Sequence, residues 1–351
     1  MLKPGATIGI MGGGQLGRMM AMSAAQLGYR CLGYAPEGDI VADQVSNEFI
    51  VDPWDNAAAL GAFAAQCDVV TWEFENVPLS AVDAIPPERL FPPRRALEVA
   101  QDRLNEKRFV EDLGGRAAPY LAVDSRADLE AAVQRLGTPG ILKTRREGYD
   151  GKGQWRIGSE RDLDAVPAIR QPAIYESLIR FEAEFSVILV RSREGEVMFW
   201  DSTRNEHRDG ILDRSLWPAG EPIEGQVLAA RELARKVADR LGYVGVLTLE
   251  FFATADGPLF NEMAPRVHNS GHWTIEGAAT SQFENHIRAV AGLPLGDTHT
   301  VTKTAEMTNL IGKDVDRAAE LLREGECHLH VYGKAQARDG RKMGHVTRLT
   351  R

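Results

Sequence analysis

The sequence contains only three cysteines, Cys31, Cys67 and Cys327, among 351 residues. Their number is odd, and no two have the spacing of a metal site or a redox pair, which argues against a disulfide-stapled fold. No apolar run approaches the roughly 18 residues that span a membrane, and residues 1–17 lack the layout of a signal peptide. We therefore expect buried or incidental thiols and a cytoplasmic protein.

Positive charge is also scarce. The 41 Lys and Arg residues are outnumbered by 50 Asp and Glu residues, which gives a formal net charge of -9. A protein that binds nucleic acid through a general positive field is therefore not expected. A local basic pocket could still hold a small anion, so the expected partners are small molecules, with no nucleic acid and no membrane. The length suits two or three packed units.

Periodicity at the start of the chain predicts strands alternating with helices, and hence a parallel sheet. This first unit ends near the proline-rich stretch 86–93. The predicted elements are a strand at 6–11, a glycine turn at 12–17, a helix at 18–28 and strands at 30–34 and 69–72.

The middle and end of the chain predict a mixture of helices and antiparallel strands. Between 120 and 166 the order is strand, helix, strand, glycine-rich loop, strand. The last 50 or so residues predict a small appended β unit with a strand at 328–332. The other predicted elements are a helix at 95–113, strands at 173–177, 184–190 and 197–200, a helix at 222–241, and strands at 244–252 and 259–263.

The first glycine turn matches G-x-G-x-x-G through Gly12, Gly14 and Gly17, after a strand and before a helix. Such a turn lets the backbone approach an anion at a helix N-terminus. A dinucleotide site also requires an acidic residue about 20 positions further along the chain. Glu37 and Asp39 lie near that position, but after a proline and a turn. A nicotinamide-dependent oxidoreductase is therefore an alternative, as is a plain tight turn.

A second glycine loop follows the strand that ends near Lys143. In it Gly148, Gly151 and Gly153 alternate with Asp150 and Lys152. Free amides and the two lysines would suit nucleotide phosphates. The alternative is a charged hairpin tip, although three glycines exceed what one turn requires.

Two acidic residues, Glu250 and Glu262, lie on predicted strands joined by a short turn. If the strands pair, the carboxylates meet, and they repel unless a cation bridges them. Magnesium with nucleotide phosphates is the natural cation for such oxygen ligands. Arg266, His268 and Asn269 follow and would form a pocket for a small anion. The alternative is two separate edge-facing acids.

Five motifs in this order resemble the ATP-grasp superfamily, and more closely the N5-carboxyaminoimidazole ribonucleotide synthases. They are GGGQLG at 12–17, TWEFEN at 71–76, GYDGKGQ at 148–154, NEMAPRVHNSGH at 261–272 and RKMGH at 341–345. The resemblance implies an α/β ATP-grasp fold in three parts. They are a Rossmann-like N-terminal domain at 1–94, an ATP-grasp domain at 95–298 with a lid subdomain at about 117–172, and a small C-terminal β domain at 299–351.

The resemblance also implies a reaction of purine biosynthesis. ATP, with two Mg²⁺ ions, phosphorylates bicarbonate to carboxyphosphate. The exocyclic amine of 5-aminoimidazole ribonucleotide then captures this species, or CO2 released from it, in a homodimeric enzyme. Rival functions are another ATP-grasp ligase that activates formate or glycine, and a non-catalytic binding module. Many ATP-grasp enzymes carry a metal-binding Asn where this chain has Ala264, which leaves the third metal ligand open.

The resemblance assigns residue roles. The metal ligands would be Glu250 and Glu262. Bicarbonate and carboxyphosphate chemistry would fall to Arg266, His268, Asn269 and Lys334. ATP would be held by Arg103, Lys143, Gly148, Tyr149, Asp150, Gly151, Lys152, Gly153, Gln154, Glu176, Ser177, Leu178, Ile179, Glu184, His207, Asn261 and Glu262. The ribonucleotide would be held by Gly14, Gln15, Leu16, Glu73, Tyr149 and Asp150, and its 5′-phosphate by Lys334, Arg341 and Lys342.

Overall fold

The N-terminal part of the chain forms a parallel sheet, as predicted. The computed structural model describes residues 1–146, 148 and 153–350. The first elements are β1 (Thr7–Met11), α1 (Gln15–Gln26), β2 (Arg30–Ala35), β3 (Glu48–Val51), α2 (Ala57–Gln66), β4 (Val69–Trp72) and α3 (Leu79–Val82). The strand order is β3-β2-β1-β4, with every neighbouring pair parallel. Helix α1 begins three residues earlier than predicted, because the glycine turn is already part of its first turn.

The single helix predicted at 95–113 is wrong, because the structure has two helices there. These are α4 (Arg94–Ala100) and α5 (Arg103–Glu111). The break falls at Asp102, whose side chain accepts the N–H groups of Leu104 and Asn105 as an N-cap. The same carboxylate pairs with Arg145 at 2.7 Å. An acid that looks like part of a charged helix therefore starts a new one.

A second, antiparallel sheet covers part of the predicted lid. Its elements are β5 (Tyr120–Val123), α6 (Arg126–Leu136), β6 (Gly140–Thr144), β7 (Gln154–Ile157) and β8 (Ala173–Ser177). The order is β5-β8-β6-β7. Its own small core includes Val123, Leu142 and Tyr175, so this sheet buries apolar side chains separately from the rest of the molecule.

The largest sheet runs through the remainder of the chain. Its strands are β9 (Ala183–Arg191), β10 (Val197–Phe199), β11 (Thr203–Arg208), β12 (Ile211–Trp217), β13 (Gly245–Thr254), β14 (Gly257–Ala264), β15 (Thr304–Ile311), β16 (Cys327–Val331) and β17 (Lys342–Thr350). The helices are α7 (Val227–Leu241), α8 (Thr274–Gly277), α9 (Gln282–Ala291) and α10 (Ala318–Arg323).

The order of this sheet is β14-β13-β9-β11-β12-β15-β17-β16, with β10 added beside β9. Strand β15 pairs with β12, so the C-terminal strands continue the large sheet rather than forming a sheet of their own. The predicted hairpin of β9 with β10 and the pairing of β13 with β14 are both present. The domain limits at 94 and 298 remain predictions.

One face of strand β9 changes from apolar to polar along its length. Val190 and Ile188 are buried in the core beside α9, whereas Ser186 and Glu184 continue the same face. The opposite face carries Phe185, Val187 and Leu189 in the other core cluster. This change of polarity opens a polar region on an otherwise buried sheet. In the part of the chain that the structure describes, no helix has the length and apolar character needed to cross a membrane.

A buried histidine joins the parallel sheet to the large sheet. His286 Nδ1 accepts the N–H of Val246 at 3.1 Å, so Nε2 carries the hydrogen that faces Thr71 Oγ1 at 2.8 Å. A Cβ at Gly245 would lie 2.9 Å from the ring, and φ there is +113°. Burial lowers the pKa of His286 to about 3.

This depressed pKa predicts a pH-dependent stability. A histidine whose folded pKa lies below its unfolded value stabilises the fold above pH 6.5 and loses that contribution as the pH falls toward 3. Between pH 7 and pH 5 the wild type should lose about 2 kcal/mol more unfolding free energy than His286→Gln. Urea unfolding at both pH values measures the difference. The same change at the exposed His299 is the control, and equal pH dependence in the wild type and His286→Gln would contradict the assignment.

Candidate active site

The glycine turn before α1 encloses a side-chain carboxylate. The N–H groups of Gly14 and Gly17 donate to the two oxygens of Glu73 at 2.7 and 3.0 Å. A Cβ at Gly12 would lie 2.4 Å from the same side chain, which is why glycine is required there. Burial raises the pKa of Glu73, although the two N–H groups oppose that shift. The donors that a dinucleotide pyrophosphate would use are occupied, so the dinucleotide alternative loses its anion site.

Two further predicted ribonucleotide residues begin α1 next to this turn. Gln15 is partly exposed, whereas the Leu16 side chain is buried in the core. Of the two, Gln15 therefore has the side chain that a ligand can reach, and Leu16 could contact one only through its backbone.

The end of β4 and the residues that follow it connect the parallel sheet to the segment after β14. Trp72 donates its ring N–H to the carbonyl of Pro265 at 2.9 Å. Glu75 forms a two-point ion pair with Arg266, one bond of which measures 2.9 Å. Burial would raise the pKa of Glu75, but Arg266 holds that pKa below its ordinary value. The carboxylate of Glu75, which follows β4 of the parallel sheet, thus keeps the Arg266 guanidinium charged and oriented.

The two predicted metal ligands are direct cross-strand partners. Glu250 on β13 lies opposite Glu262 on β14 in the register of the sheet. Glu262 contacts Arg103 at 3.2 Å, and its side chain is 44% exposed against 12% for Glu250. Burial would raise the pKa of Glu250, yet the hydrogen bond and charge of His268 help to lower it to about 2. Both carboxylates therefore meet at one place, with cationic groups around them.

His268 and Asn269 have different surroundings. His268 Nε2 contacts Glu250 at 2.9 Å, while the N–H of Ser270 donates to Nδ1 at 3.3 Å. Asn269 forms a reciprocal amide pair with Asn309, with bonds of 3.0 and 2.8 Å. Of the predicted pair, His268 is thus directed at the carboxylates and Asn269 at the C-terminal strands.

A histidine on β11, the strand that pairs with β9, adds to the polar region around the carboxylate pair. His207 Nδ1 lies 2.7 Å from Glu184. Burial would lower the pKa of His207, but Glu184, Glu250 and Glu262 together raise it above its ordinary value. The predicted nucleotide residues Glu184 and His207 therefore lie in the same electrostatic environment as the carboxylate pair.

A buried cluster of two lysines and one carboxylate lies beside β14, next to Glu262 in the strand. Glu176 is 2.8 Å from Lys143 and 3.3 Å from Lys107. Burial would raise the pKa of Glu176, yet the two ammonium groups lower it to about 2. Lys107 also reaches the carbonyl of Asn261 at 3.4 Å. One carboxylate and two lysines leave net positive charge, which suits phosphates.

One end of the second glycine loop contacts Arg103, and the other pairs with the strand of Lys143. The carbonyl of Gly148 accepts a hydrogen bond from Arg103 at 2.9 Å. Gly153 has φ of +67°, which favours glycine, and Gln154 pairs across from Lys143. The loop residues that lie outside the described part of the chain are Tyr149, Asp150, Gly151 and Lys152.

The predicted adenine segment continues from the end of β8. The N–H groups of Ser177 and Leu178 donate to the carbonyls of Pro119 and Pro139 at 2.9 and 3.0 Å. The Leu178 side chain is exposed, and Ile179 follows it. These bonds hold the segment in place, but they occupy two backbone N–H groups that could otherwise donate to adenine.

The C-terminal basic residues reach the N-terminal unit. Arg341 forms an ion pair with Asp39, and the carbonyl of Gly333 accepts from Gln44 at 3.0 Å. The ammonium of the adjacent Lys334 lies 5.9 Å from the centroid of the Tyr332 ring. The charge of Lys342 contributes to the low pKa of Glu250. The structure therefore places this segment against residues 39–44 of the N-terminal unit, with Lys342 within electrostatic reach of Glu250.

The sequence did not lead us to predict three residues that have clear contacts at the site: Lys107, Glu106 and Glu75. Lys107 follows Arg103 at i+4 on α5, so helical spacing could have placed both cations on one face. Glu106 accepts the N–H of Met263 at 2.6 Å, and burial raises its pKa to about 8. No local pattern marks it, because its partner comes from a distant strand.

Family models cover almost the whole chain. An ATP-grasp domain matches residues 108–283, a ribonucleotide synthetase preATP-grasp domain matches 5–101, and a phosphoribosylaminoimidazole carboxylase C-terminal domain matches 305–351. These matches confirm the predicted ATP-grasp fold with its parallel N-terminal sheet.

Relatives agree along the full length. An N5-carboxyaminoimidazole ribonucleotide synthase from Brucella melitensis is 51% identical over 99% of this chain and 97% of its own. The crystal structure of N5-carboxyaminoimidazole synthetase from Staphylococcus aureus complexed with ADP has a TM-score of 0.92, is 38% identical, and covers 99% of this chain and 94% of its own. The synthase from Aspergillus clavatus in complex with ADP and 5-aminoimidazole ribonucleotide has a TM-score of 0.88, is 30% identical, and has the same coverage.

Sequence identity, coverage and fold all lead to one assignment. The motifs that carried the resemblance lie on the elements that meet around the carboxylate pair, and the relatives match from one end of the chain to the other. This chain belongs to the N5-carboxyaminoimidazole ribonucleotide synthase family of ATP-grasp proteins.

Proposed function

We propose that the chain is an ATP-dependent ligase that carboxylates 5-aminoimidazole ribonucleotide with bicarbonate in purine biosynthesis. The products are N5-carboxyaminoimidazole ribonucleotide, ADP and phosphate. The observation that carries the proposal is the direct pairing of Glu250 with Glu262, between a buried lysine cluster and the ion pair of Arg266 with Glu75. A site in which ATP activates an acid such as bicarbonate needs that combination of anionic and cationic groups.

The carboxylate pair fits Mg²⁺. Magnesium is commonly bound by one or two carboxylates, with substrate phosphates and water completing the octahedron. Glu250 and Glu262 supply two oxygen ligands on adjacent strands. Within the described residues no group of three or more His, Cys, Asp or Glu is arranged to hold a metal. Bound there, Mg²⁺ would offset charge on the phosphoryl group being transferred.

The nucleotide phosphates would lie against the cations beside β14. Lys143 and Lys107 share one carboxylate, Glu176, and Arg103 bridges Glu262 and the carbonyl of Gly148. These contacts hold the cations in place before ATP arrives, so little reorganisation accompanies binding.

Bicarbonate and the ribonucleotide would occupy the space on the other side of the carboxylates. Arg266, kept charged by Glu75, would hold bicarbonate and then carboxyphosphate, with Lys334 nearby. The amine of the ribonucleotide would approach from the Glu73 side, and its 5′-phosphate would lie toward the C-terminal basic residues. A homodimer and a cytoplasmic location, which the resemblance implies, are part of the same proposal.

Release of ADP tests the proposed function. ADP should form only when ATP, bicarbonate and 5-aminoimidazole ribonucleotide are all present, and formate or glycine should not replace bicarbonate. Stimulation by formate or glycine would favour the rival ATP-grasp ligase. Binding of ATP without any turnover would favour a binding module.

Glu262→Gln tests the metal role. Removing one of two carboxylates should lower turnover by on the order of 100-fold. Loss of a group that only hydrogen-bonds to a metal ligand already lowers metal affinity or activity by about 10–100-fold. Steady-state kinetics over a range of magnesium concentrations measures the loss. Glu206→Gln on β11 is the matched control, since Glu206 also pairs with an arginine at similar exposure. Near-wild-type turnover in a folded Glu262→Gln protein would exclude the role.

Arg341→Ala tests the phosphate role. Loss of one charged hydrogen-bonding partner costs about 1.5–3 kcal/mol, or on the order of 10–150-fold. The KM for the ribonucleotide should rise by that factor, while the KM for ATP stays near its original value. Arg338→Ala removes the same charge from an exposed position three residues away and serves as control. An equal rise in both KM values, or no rise in either, would mean that Arg341 serves only as a structural ion-pair partner of Asp39.

A further inference from the structure

Helix α5 covers the outer edge of the strand that carries Glu262. Strand β14 stands at one end of the order of the large sheet, so one of its edges faces away from β13. The side chain of Glu106 accepts the N–H of Met263 at 2.6 Å, and the Lys107 ammonium donates to the carbonyl of Asn261 at 3.4 Å. Two consecutive residues of one helix therefore bond to the backbone of β14 on both sides of Glu262.

The strand is irregular at the same place. Glu250 pairs with Glu262 and Phe251 with Phe260, which leaves Asn261 as an extra residue in β14. Such a bulge bends a strand, changes the direction of nearby side chains and leaves the extra residue without a cross-strand partner. Because Glu262 is the next residue, the direction of its side chain depends on what holds the bulge in place.

Burial makes the contacts of α5 necessary. Glu106 and Lys107 are only 2% and 1% exposed. A buried N–H without an acceptor is costly, and so is a buried acid without a donor, so Glu106 and the N–H of Met263 satisfy each other. The same helix also reaches the Glu262 side chain, through Arg103 at 3.2 Å. Helix α5 therefore holds both the backbone around this carboxylate and the carboxylate itself, which is more than the covering of a strand edge requires.

We propose that Glu106 is a positioning residue that holds the backbone of β14 so that the Glu262 carboxylate stays opposite Glu250. The proposal rests on the proposed function, in which these two carboxylates bind Mg²⁺ together with nucleotide phosphates. Glu106 acts through the N–H of Met263 and touches neither substrate nor metal. Mg²⁺ demands near-ideal octahedral geometry, so a carboxylate on a strand that is free to shift binds it less tightly.

Three variants separate the hydrogen bond from charge and from general stability. Glu106→Leu has a similar volume but no acceptor. Glu106→Gln removes the acid and keeps an acceptor oxygen. Asn285→Leu is the control for lost stability, because the buried Asn285 amide also bonds to the backbone of a distant residue, Gly296, at 2.7 and 2.9 Å.

Amide exchange in ligand-free protein tests the hydrogen bond itself. The chain has only nine methionines, so nitrogen-15 methionine labelling gives few signals, and Met263→Leu assigns the one that matters. The Met263 amide should exchange with solvent on the order of 10-fold faster in Glu106→Leu than in the wild type, because the N–H loses its acceptor. Glu106→Gln and Asn285→Leu should keep the slow exchange.

Magnesium dependence gives the functional measurement. Binding of a non-hydrolysable ATP analogue is measured at a series of Mg²⁺ concentrations. The concentration for half-maximal binding should be on the order of 10-fold higher in Glu106→Leu, and that for half-maximal turnover should rise by the same factor. The KM for the ribonucleotide should not change. Glu106→Gln should recover most of both losses, and Asn285→Leu should show neither.

Several results would overturn the proposal. One is unchanged exchange of the Met263 amide in folded Glu106→Leu. Another is an equal magnesium effect in Glu106→Gln, which would trace it to charge, or in Asn285→Leu, which would trace it to stability. If Glu106→Leu does not fold, Glu106→Asp replaces it, because the same acid shortened by one methylene loses its reach to Met263 and should show the same faster exchange and weaker magnesium dependence.

The two proposals can fail separately. If amide exchange and analogue binding behave as expected but the wild type does not carboxylate the ribonucleotide, the proposed function fails and the positioning role of Glu106 stands. If the wild type carboxylates the ribonucleotide but its Met263 amide exchanges as fast as an exposed one, the proposed function stands and the role of Glu106 is excluded.

Discussion

The rest of the site depends on two carboxylates held directly opposite each other. Like charges on facing positions of neighbouring strands repel, and the register of β13 with β14 places Glu250 and Glu262 opposite each other. The surrounding side chains offset this repulsion. Arg103 bonds to one carboxylate and His268 to the other, while the charge of Lys342 favours the ionised form of Glu250. A pair so placed is a poor stabilising feature, and this is the physical reason for our proposal that it binds a cation.

A single strand end connects the N-terminal sheet to this pair. Thr71 bonds to His286, Trp72 to the carbonyl after β14, Glu73 to the glycine turn, and Glu75 to Arg266. Alternation along an extended chain sends successive side chains in opposite directions, so one short segment can reach the core, the turn and the site. The end of β4 therefore positions one edge of the site.

Several buried polar groups around the site have partners from distant parts of the chain. Glu176 lies between two lysines, Glu73 between two N–H groups, and Asn205 between three hydroxyls. Isolated burial of any one of them would cost several kcal/mol. Their partners come from different strands and helices, so the polar arrangement forms only when the whole domain packs. Such networks hold each side chain in one orientation, which suits a reaction that depends on positioning more than on covalent chemistry.

Local patterns were enough for the features whose partners lie close in the chain. The pairing of Glu250 with Glu262 follows from a short turn between two strands, and the glycine turn follows from three glycines ahead of a helix. Five short motifs, taken in order, also identified the family. Lys107 and the break at Asp102 were different, because a charged helix looks the same whether its residues face solvent or a buried carboxylate. The carboxylate in the glycine turn comes from a residue 59 positions away, and the Ser186 hydroxyl that contacts Ser270 beside His268 comes from 84 positions away. Chain spacing carries no information about such neighbours, because they meet only once the sheets have packed.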